Sequence, residues 1–169
     1  MKLEKLSDDN LIVFLNSFCV EKYKFSIKDN LEDSFRKFLK RLNNYYNIET
    51  NGYYDIKIYQ DNIYGFILDI KKEDIDFYGY YDDHIDIKIS ILKDNKFVFK
   101  IDDYSLVNKG VLKYCYLLKQ NKSLYFVPKQ TINQYHLGYV VENCKIIYGT
   151  DANEILNKGE YINTSKVFV

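Results

Sequence analysis

Two histidines are all the imidazole this chain has, and they limit its acid–base and metal chemistry from the start. His84 sits in the run Asp82-Asp83-His84-Ile85-Asp86. On a strand, residues two apart share a face, so His84 and Asp86 offer a nitrogen and an oxygen to a divalent cation. The plainer reading, a charged strand start at an internal boundary, is preferred. No metal is therefore expected, and His84 and Asp86 are its only weak candidates. His136 has no acid or cysteine near it in sequence and reads as a surface or core-edge residue. A triad assembled in space stays open, but no nucleophile sits in a sharp glycine elbow. There is no Gly-x-Gly-x-x-Gly, phosphate-loop or His-Glu-x-x-His pattern, and seven glycines leave little material for a phosphate cradle. The expectation is a protein without catalytic residues or cofactors.

The three cysteines, Cys19, Cys115 and Cys144, lie far apart with no Cys-x-x-Cys spacing. An odd number, after an N-terminus without an apolar signal region, reads as reduced thiols in a cytoplasmic protein. No stretch approaches 18 apolar residues, so no membrane span is expected.

Basic and acidic residues balance at 24 each, which argues against a dedicated nucleic-acid binder. The distribution is less even: residues 104–169 carry eight lysines and four acids. A nucleic-acid reading would use Lys109, Lys113, Lys119, Lys122 and Lys129 with Tyr114, Tyr116, Tyr125 and Phe126 as stacking partners. Ordinary surface lysine is preferred, because the chain has only two arginines and no recognisable RNA-binding motif. Lysine, isoleucine, asparagine and tyrosine are abundant and alanine occurs once, a bias that fits A/T-rich codons better than a binding role for all 18 tyrosines.

With 169 residues, 47% of them hydrophobic, the chain is long enough for one ordinary domain or two small ones with real cores. Short apolar runs at 2–6 and 11–15, split by Ser7-Asp8-Asp9-Asn10, predict an opening hairpin. Leu31, Phe35, Phe38, Leu39, Leu42, Tyr45 and Tyr46 recur at helical spacing, with charged residues between them. Glu32–Arg36 and Asp33–Lys37 add i,i+4 pairs, and Asp29 is positioned to cap. Alternating runs at 53–59 and 63–70 follow, so residues 1–70 spell ββαββ. Residues 71–83 lose the periodicity and carry five acids against two lysines, which marks a connector.

The second half, 84–169, opens with the alternating Ile85, Ile87, Ile89 and Ile91, a turn at 93–96, and a return strand at 97–101. Asp102 or Asp103 then caps a helix predicted to run to about Leu118, with Tyr104, Val107, Val111, Cys115 and Leu118 on one side. A strand at 123–127, an ambiguous stretch at 131–142, a strand at 144–148 and an Asp151-x-x-Glu154 capping box ended by Gly159 complete the pattern. The fold class is α+β: two small sheet-plus-helix halves, ββαββ and then ββαβ(α)βα.

The opening MKLEKLSDDNLIVFL resembles the start of the MecA-type adaptor proteins of low-GC Gram-positive bacteria. The order of the next elements is similar: an apolar-acidic segment at 25–29, a long amphipathic helix, and a hairpin after Thr50-Asn51-Gly52. Phe97-Val98-Phe99-Lys100-Ile101-Asp102-Asp103-Tyr104 resembles that family's second-domain strand running into an Asp-Asp-Phe-type helix start. The acidic interdomain linker of the family is reduced here to 71–83, and 84–92 is an extra or reassigned strand. The resemblance implies a non-enzymatic adaptor linking an unknown target protein, held by the first half, to the N-domain of a ClpC-type AAA+ unfoldase, met by the second. It places Asp102, Asp103, Tyr104, Tyr125 and Phe126 on the unfoldase-facing surface. The alternatives are a nucleic-acid-binding module using the basic second half, or an unrelated partner-binding protein.

Overall fold

The computed structural model describes residues 1–23, 25, 30–46, 52–61, 64–73, 85–93 and 95–163. The chain divides into two units, 1–60 with 65–93, and 94–169 with the short segment 61–64.

In the first unit, β1 (Lys2–Lys5) and β2 (Asn10–Leu15) form the expected hairpin in antiparallel register. Asn16 then caps α1 (Ser17–Lys22), its side chain accepting the Cys19 backbone N–H at 2.8 Å. The long helix α2 (Leu31–Tyr46) follows, then β3 (Gly52–Asp61) and β4 (Gly65–Glu73). Within α2 the Glu32–Arg36 ion pair forms at 2.6 Å, while the capping role expected of Asp29 lies outside the described residues.

The apolar stripe of α2 is buried as its spacing requires. Phe35, Phe38, Leu39 and Leu42 pack with Val13 and Leu15 of β2, Tyr54, Ile56 and Ile58 of β3, and Leu68 and Ile70 of β4. Phe25 joins this core through edge-on contacts with Phe35 and Phe38 at 5.0 and 5.9 Å between ring centres. Edge-to-face packing brings ring hydrogens against π-clouds, which suits a helix–sheet seam rich in phenylalanine.

Strand β5 (Ile85–Leu92) corrects the domain boundary. It runs parallel to β3, Tyr54 opposite Ile87 and Ile56 opposite Ile89, and so closes a first sheet of order β1-β2-β4-β3-β5. Ile87 and Ile89 pack against the first core. Residues 85–92 therefore belong with the first unit, and the division falls at 93/94, not within 71–83. Of that expected connector, 71–73 is the end of β4, and 74–83 lie outside the described residues.

The second unit carries β6 (Val98–Ile101), a 3₁₀ turn (Tyr104–Leu106), α3 (Lys109–Leu112), β7 (Cys115–Gln120), β8 (Ser123–Pro128), α4 (Gln134–Asn143), β9 (Lys145–Ile147), α5 (Gly149–Lys158) and β10 (Glu160–Ile162). Its sheet has the order β10-β7-β8-β6-β9 and every described pairing is antiparallel. The helix expected from 103 to about 118 is not formed. Only one short turn survives at each end of a break at Val107-Asn108, and 115–120 becomes a strand. Asn121, at φ 54°, turns the chain back so that β8 pairs with β7 along its whole length. Ladder hydrogen bonds and burial on both faces outweigh a helix that Asn108 and Gly110 weaken.

Helix α5 lays Ala152 and Ile155 on one sheet face, against Val98, Leu118 and Tyr125. Helices α3 and α4 pack against β7 and β6 and bury Val111, Leu112, Leu137, Val140 and Val141. The ambiguous stretch is thus helical in its second part, started by Asn133, whose side chain accepts the His136 N–H at 2.9 Å. The capping box at Asp151 is not realised, since α5 begins two residues earlier and its cap residue Tyr148 gives no side-chain capping bond. Gly159 does end the helix, though by close packing and not by a left-handed turn. Its φ is −81°, and a Cβ there would lie 2.2 Å from Leu118 Cδ2.

Candidate partner-binding surface

Asp102, Asp103 and Tyr104 leave the end of β6 and enter the 3₁₀ turn, all three exposed. Asp103 caps that turn, its Oδ1 accepting the Ser105 N–H at 2.9 Å. Hydrogen bonds from Ser105, side chain first and then backbone, hold its carboxyl below the ordinary aspartate range. Asp102 lies 3.9 Å from the Lys100 ammonium across open solvent, a contact worth little energetically. The Tyr104 ring is 59% exposed. A short acidic turn with an aromatic residue at its tip is thereby held in one backbone conformation.

Tyr125 and Phe126 are placed differently from the expectation. They sit on β8 beside β6, Tyr125 opposite Lys100 and Phe126 opposite Phe99. Both are buried, Phe126 completely. Tyr125 packs in the second core with Val98, Leu118, Ala152 and Ile155, so neither side chain is on the surface where the resemblance places it. Asp86 stands in β5 opposite Tyr53, and its weak metal-site partner His84 lies outside the described residues. Among the described residues no group of three or more His, Cys, Asp or Glu side chains is arranged to hold a metal ion.

The second unit also gathers aromatic and basic side chains that sequence order keeps apart. Tyr114 packs on the His136 ring at 4.1 Å between centres, and Tyr135 meets the same imidazole edge-on at 5.3 Å. Asn133 Oδ1 accepts the His136 backbone N–H at 2.9 Å and lies 2.8 Å from the ring Nδ1. Lys113 Nζ lies 5.5 Å from the Tyr114 ring centre. Lys129 Nζ lies 4.9 Å from the Tyr116 ring centre, and Tyr116 meets Tyr161 of β10 edge-on at 5.8 Å.

Lys129 joins these two groups into one surface. Its backbone N–H donates to the Tyr114 carbonyl, and its ammonium donates to the Leu112 and Lys113 carbonyls at 3.0 and 3.1 Å. Of the basic and aromatic set read from the sequence, Lys113, Lys129, Tyr114 and Tyr116 come together here. Tyr135, His136 and Tyr161 join them, and no local pattern in the sequence would have found those three.

In the first unit the exposed large apolar side chains are mixed in kind: Met1, Leu6, Phe18, Tyr46, Ile91 and Leu92 among the described residues. All three cysteines are free and buried. Among the described residues no helix is long and apolar enough to cross a membrane. Comparison with known proteins gives no match: no family model, no curated protein and no solved structure.

Proposed function

We propose that this chain is a non-enzymatic adaptor that holds a target protein through its first unit and presents it to a ClpC-type AAA+ unfoldase through its second. The observation that carries the reading is the exposed, capped turn Asp102-Asp103-Tyr104, whose sequence is the part of the second unit that resembles the MecA-type adaptors. An aromatic anchor with a charged rim on a backbone already fixed is what a partner interface uses, because little conformational entropy remains to be lost on docking. The aliphatic side chains exposed on the first unit suit the capture of a target. Three free, buried thiols fit a reducing cytosol.

The reading is tested by mixing the whole chain with the N-domain of a ClpC-type unfoldase and measuring co-elution, and by measuring ATPase stimulation with the intact unfoldase. Complex formation that Tyr104→Ala and Asp102→Ala each weaken supports it. A folded sample that neither co-elutes nor stimulates overturns it.

A further inference from the structure

From the aromatic and basic surface of the second unit we infer a separate binding activity: Tyr135, Tyr114, Tyr116 and Tyr161, with Lys113 and Lys129, form a site for single-stranded nucleic acid. Three observations favour this occupant.

The first is the kind of apolar surface exposed. Among the described residues of this unit, every large hydrophobic side chain left exposed is a tyrosine: Tyr104, Tyr116, Tyr135 and Tyr161. A stacking platform needs π-faces with polar edges, which exposed tyrosines supply. Tyr135, at 79% exposure, presents most of its ring to solvent.

The second is the placement of charge. Lys113 and Lys129 lie over the rings of Tyr114 and Tyr116, so a base stacking nearby would bring its phosphate to an ammonium. Residues 104–169 carry eight lysines against four acids, a local excess of the sign a polyphosphate requires. Glu160, the acid next to Tyr161, faces Lys119 across the β10–β7 ladder, which offsets its charge.

The third is preorganisation. The His136 ring is fixed by Asn133 and buttresses Tyr114 and Tyr135, while Lys129 is pinned by two carbonyls. Rings held before binding lose little rotamer freedom when a base stacks on them. Two lysines and no arginine on the surface predict low sequence preference and modest affinity, since bidentate base readout is missing.

The experiment uses the intact chain and fluorescein-labelled 12-nucleotide oligo(U) and oligo(dU), with binding followed by anisotropy from 25 to 300 mM salt. Binding is expected to both, with log K falling against log salt at a slope of roughly −1 to −2 for two neutralised phosphates. Tyr135→Ala and Tyr116→Ala are each expected to weaken it about tenfold, and Lys129→Ala to flatten the slope. Tyr135→Ala alters a side chain almost wholly in solvent, and an unchanged melting curve verifies its fold. Stronger binding to oligo(U) than to oligo(dU), which differs from it only at the 2′-hydroxyl, would identify RNA as the ligand, and the reverse order would identify DNA. No binding at 25 mM salt, binding that Tyr135→Ala and Tyr116→Ala leave unchanged, or equal competition by poly-glutamate would each overturn the assignment.

Discussion

The ammonium of Lys129 sits 4.9 Å from the centre of the Tyr116 ring while donating to the carbonyls of Leu112 and Lys113. One flexible side chain thus closes the C-terminal end of α3, where carbonyls lack helical partners, and also supplies positive charge to the face of a half-exposed tyrosine. The first role belongs to stability and the second to binding, so the two can be separated by substitution.

Lys129→Met keeps the aliphatic stem and removes the donor. It is expected to lower unfolding free energy by about 1–2 kcal/mol, because two carbonyls lose a charged partner. Lys129→Arg should retain most of the stability, since the guanidinium also donates. Urea titration of the three proteins checks this, and equal midpoints would show that the carbonyls are satisfied by water.

Glycines at 65 and 138 should respond to alanine in opposite directions. Gly65 has φ +123°, and a Cβ there would lie 2.1 Å from the Leu15 carbonyl oxygen and 2.9 Å from Asn16 Cα. Neither atom can yield without moving β2, so Gly65→Ala is expected to cost about 3 kcal/mol or more. Gly138 lies inside α4 with nothing within 4 Å of the added methyl. Gly138→Ala is expected to stabilise by about 0.5–1 kcal/mol through helix propensity alone. Thermal and urea denaturation of both variants gives the comparison.

Phe126 and Tyr104 separate core from surface within the region read as partner-facing. Phe126 is fully buried, so Phe126→Ala should cost about 3–5 kcal/mol from lost transfer energy and the cavity left behind. Tyr104→Ala should fall within about 0.5 kcal/mol of the parent. Urea midpoints settle the comparison, and a mild effect at Phe126 would contradict its place in the core.

Stability should fall on the alkaline side. Burial pushes the Cys115 thiol up to about 12 from 9.0, Cys144 adding to the rise and Lys129 opposing it. Burial likewise raises Tyr64 to about 12 from 10.0, with Asp61 next in effect; its hydroxyl donates to the Pro128 carbonyl at 2.7 Å. Both groups ionise in the unfolded chain at a pH where the native chain still holds their protons. The favourable contribution of each is complete below its unfolded value and is lost as pH rises toward 12, beginning near 9 for the thiol and near 10 for the phenol. The slope is at most about 1.4 kcal/mol per pH unit for each group. Urea midpoints at pH 8, 10 and 11 read it, and a flat profile would mean that these groups are hydrated in the native state.

Much of the first unit was legible from local pattern. The stripe from Leu31 to Leu42 repeats every three to four residues, which only a helix puts on one side, and Tyr54, Ile56 and Ile58 alternate as a half-buried strand must. Local pattern also placed a cap at Asp102 or Asp103, which Asp103 fills, though for a 3₁₀ turn and not a long helix. The segment 107–118 was misread because Val111, Cys115 and Leu118 satisfy helical spacing, while a strand buried on both faces, as at Leu117 and Leu118, shows no alternation to contradict it.

What the sequence by itself determined is therefore the set of elements whose character is local: the amphipathic helix, the alternating strands, the turns and caps. Tertiary structure decided which sheet β5 joins, that Tyr125 and Phe126 lie inside, and that Tyr114 and Tyr135 meet at His136 and Tyr116 meets Tyr161. The physical reason is that periodicity follows from the backbone geometry of a few consecutive residues. Strand partners and burial follow from which distant surfaces cover one another, and no stretch of neighbouring residues records that.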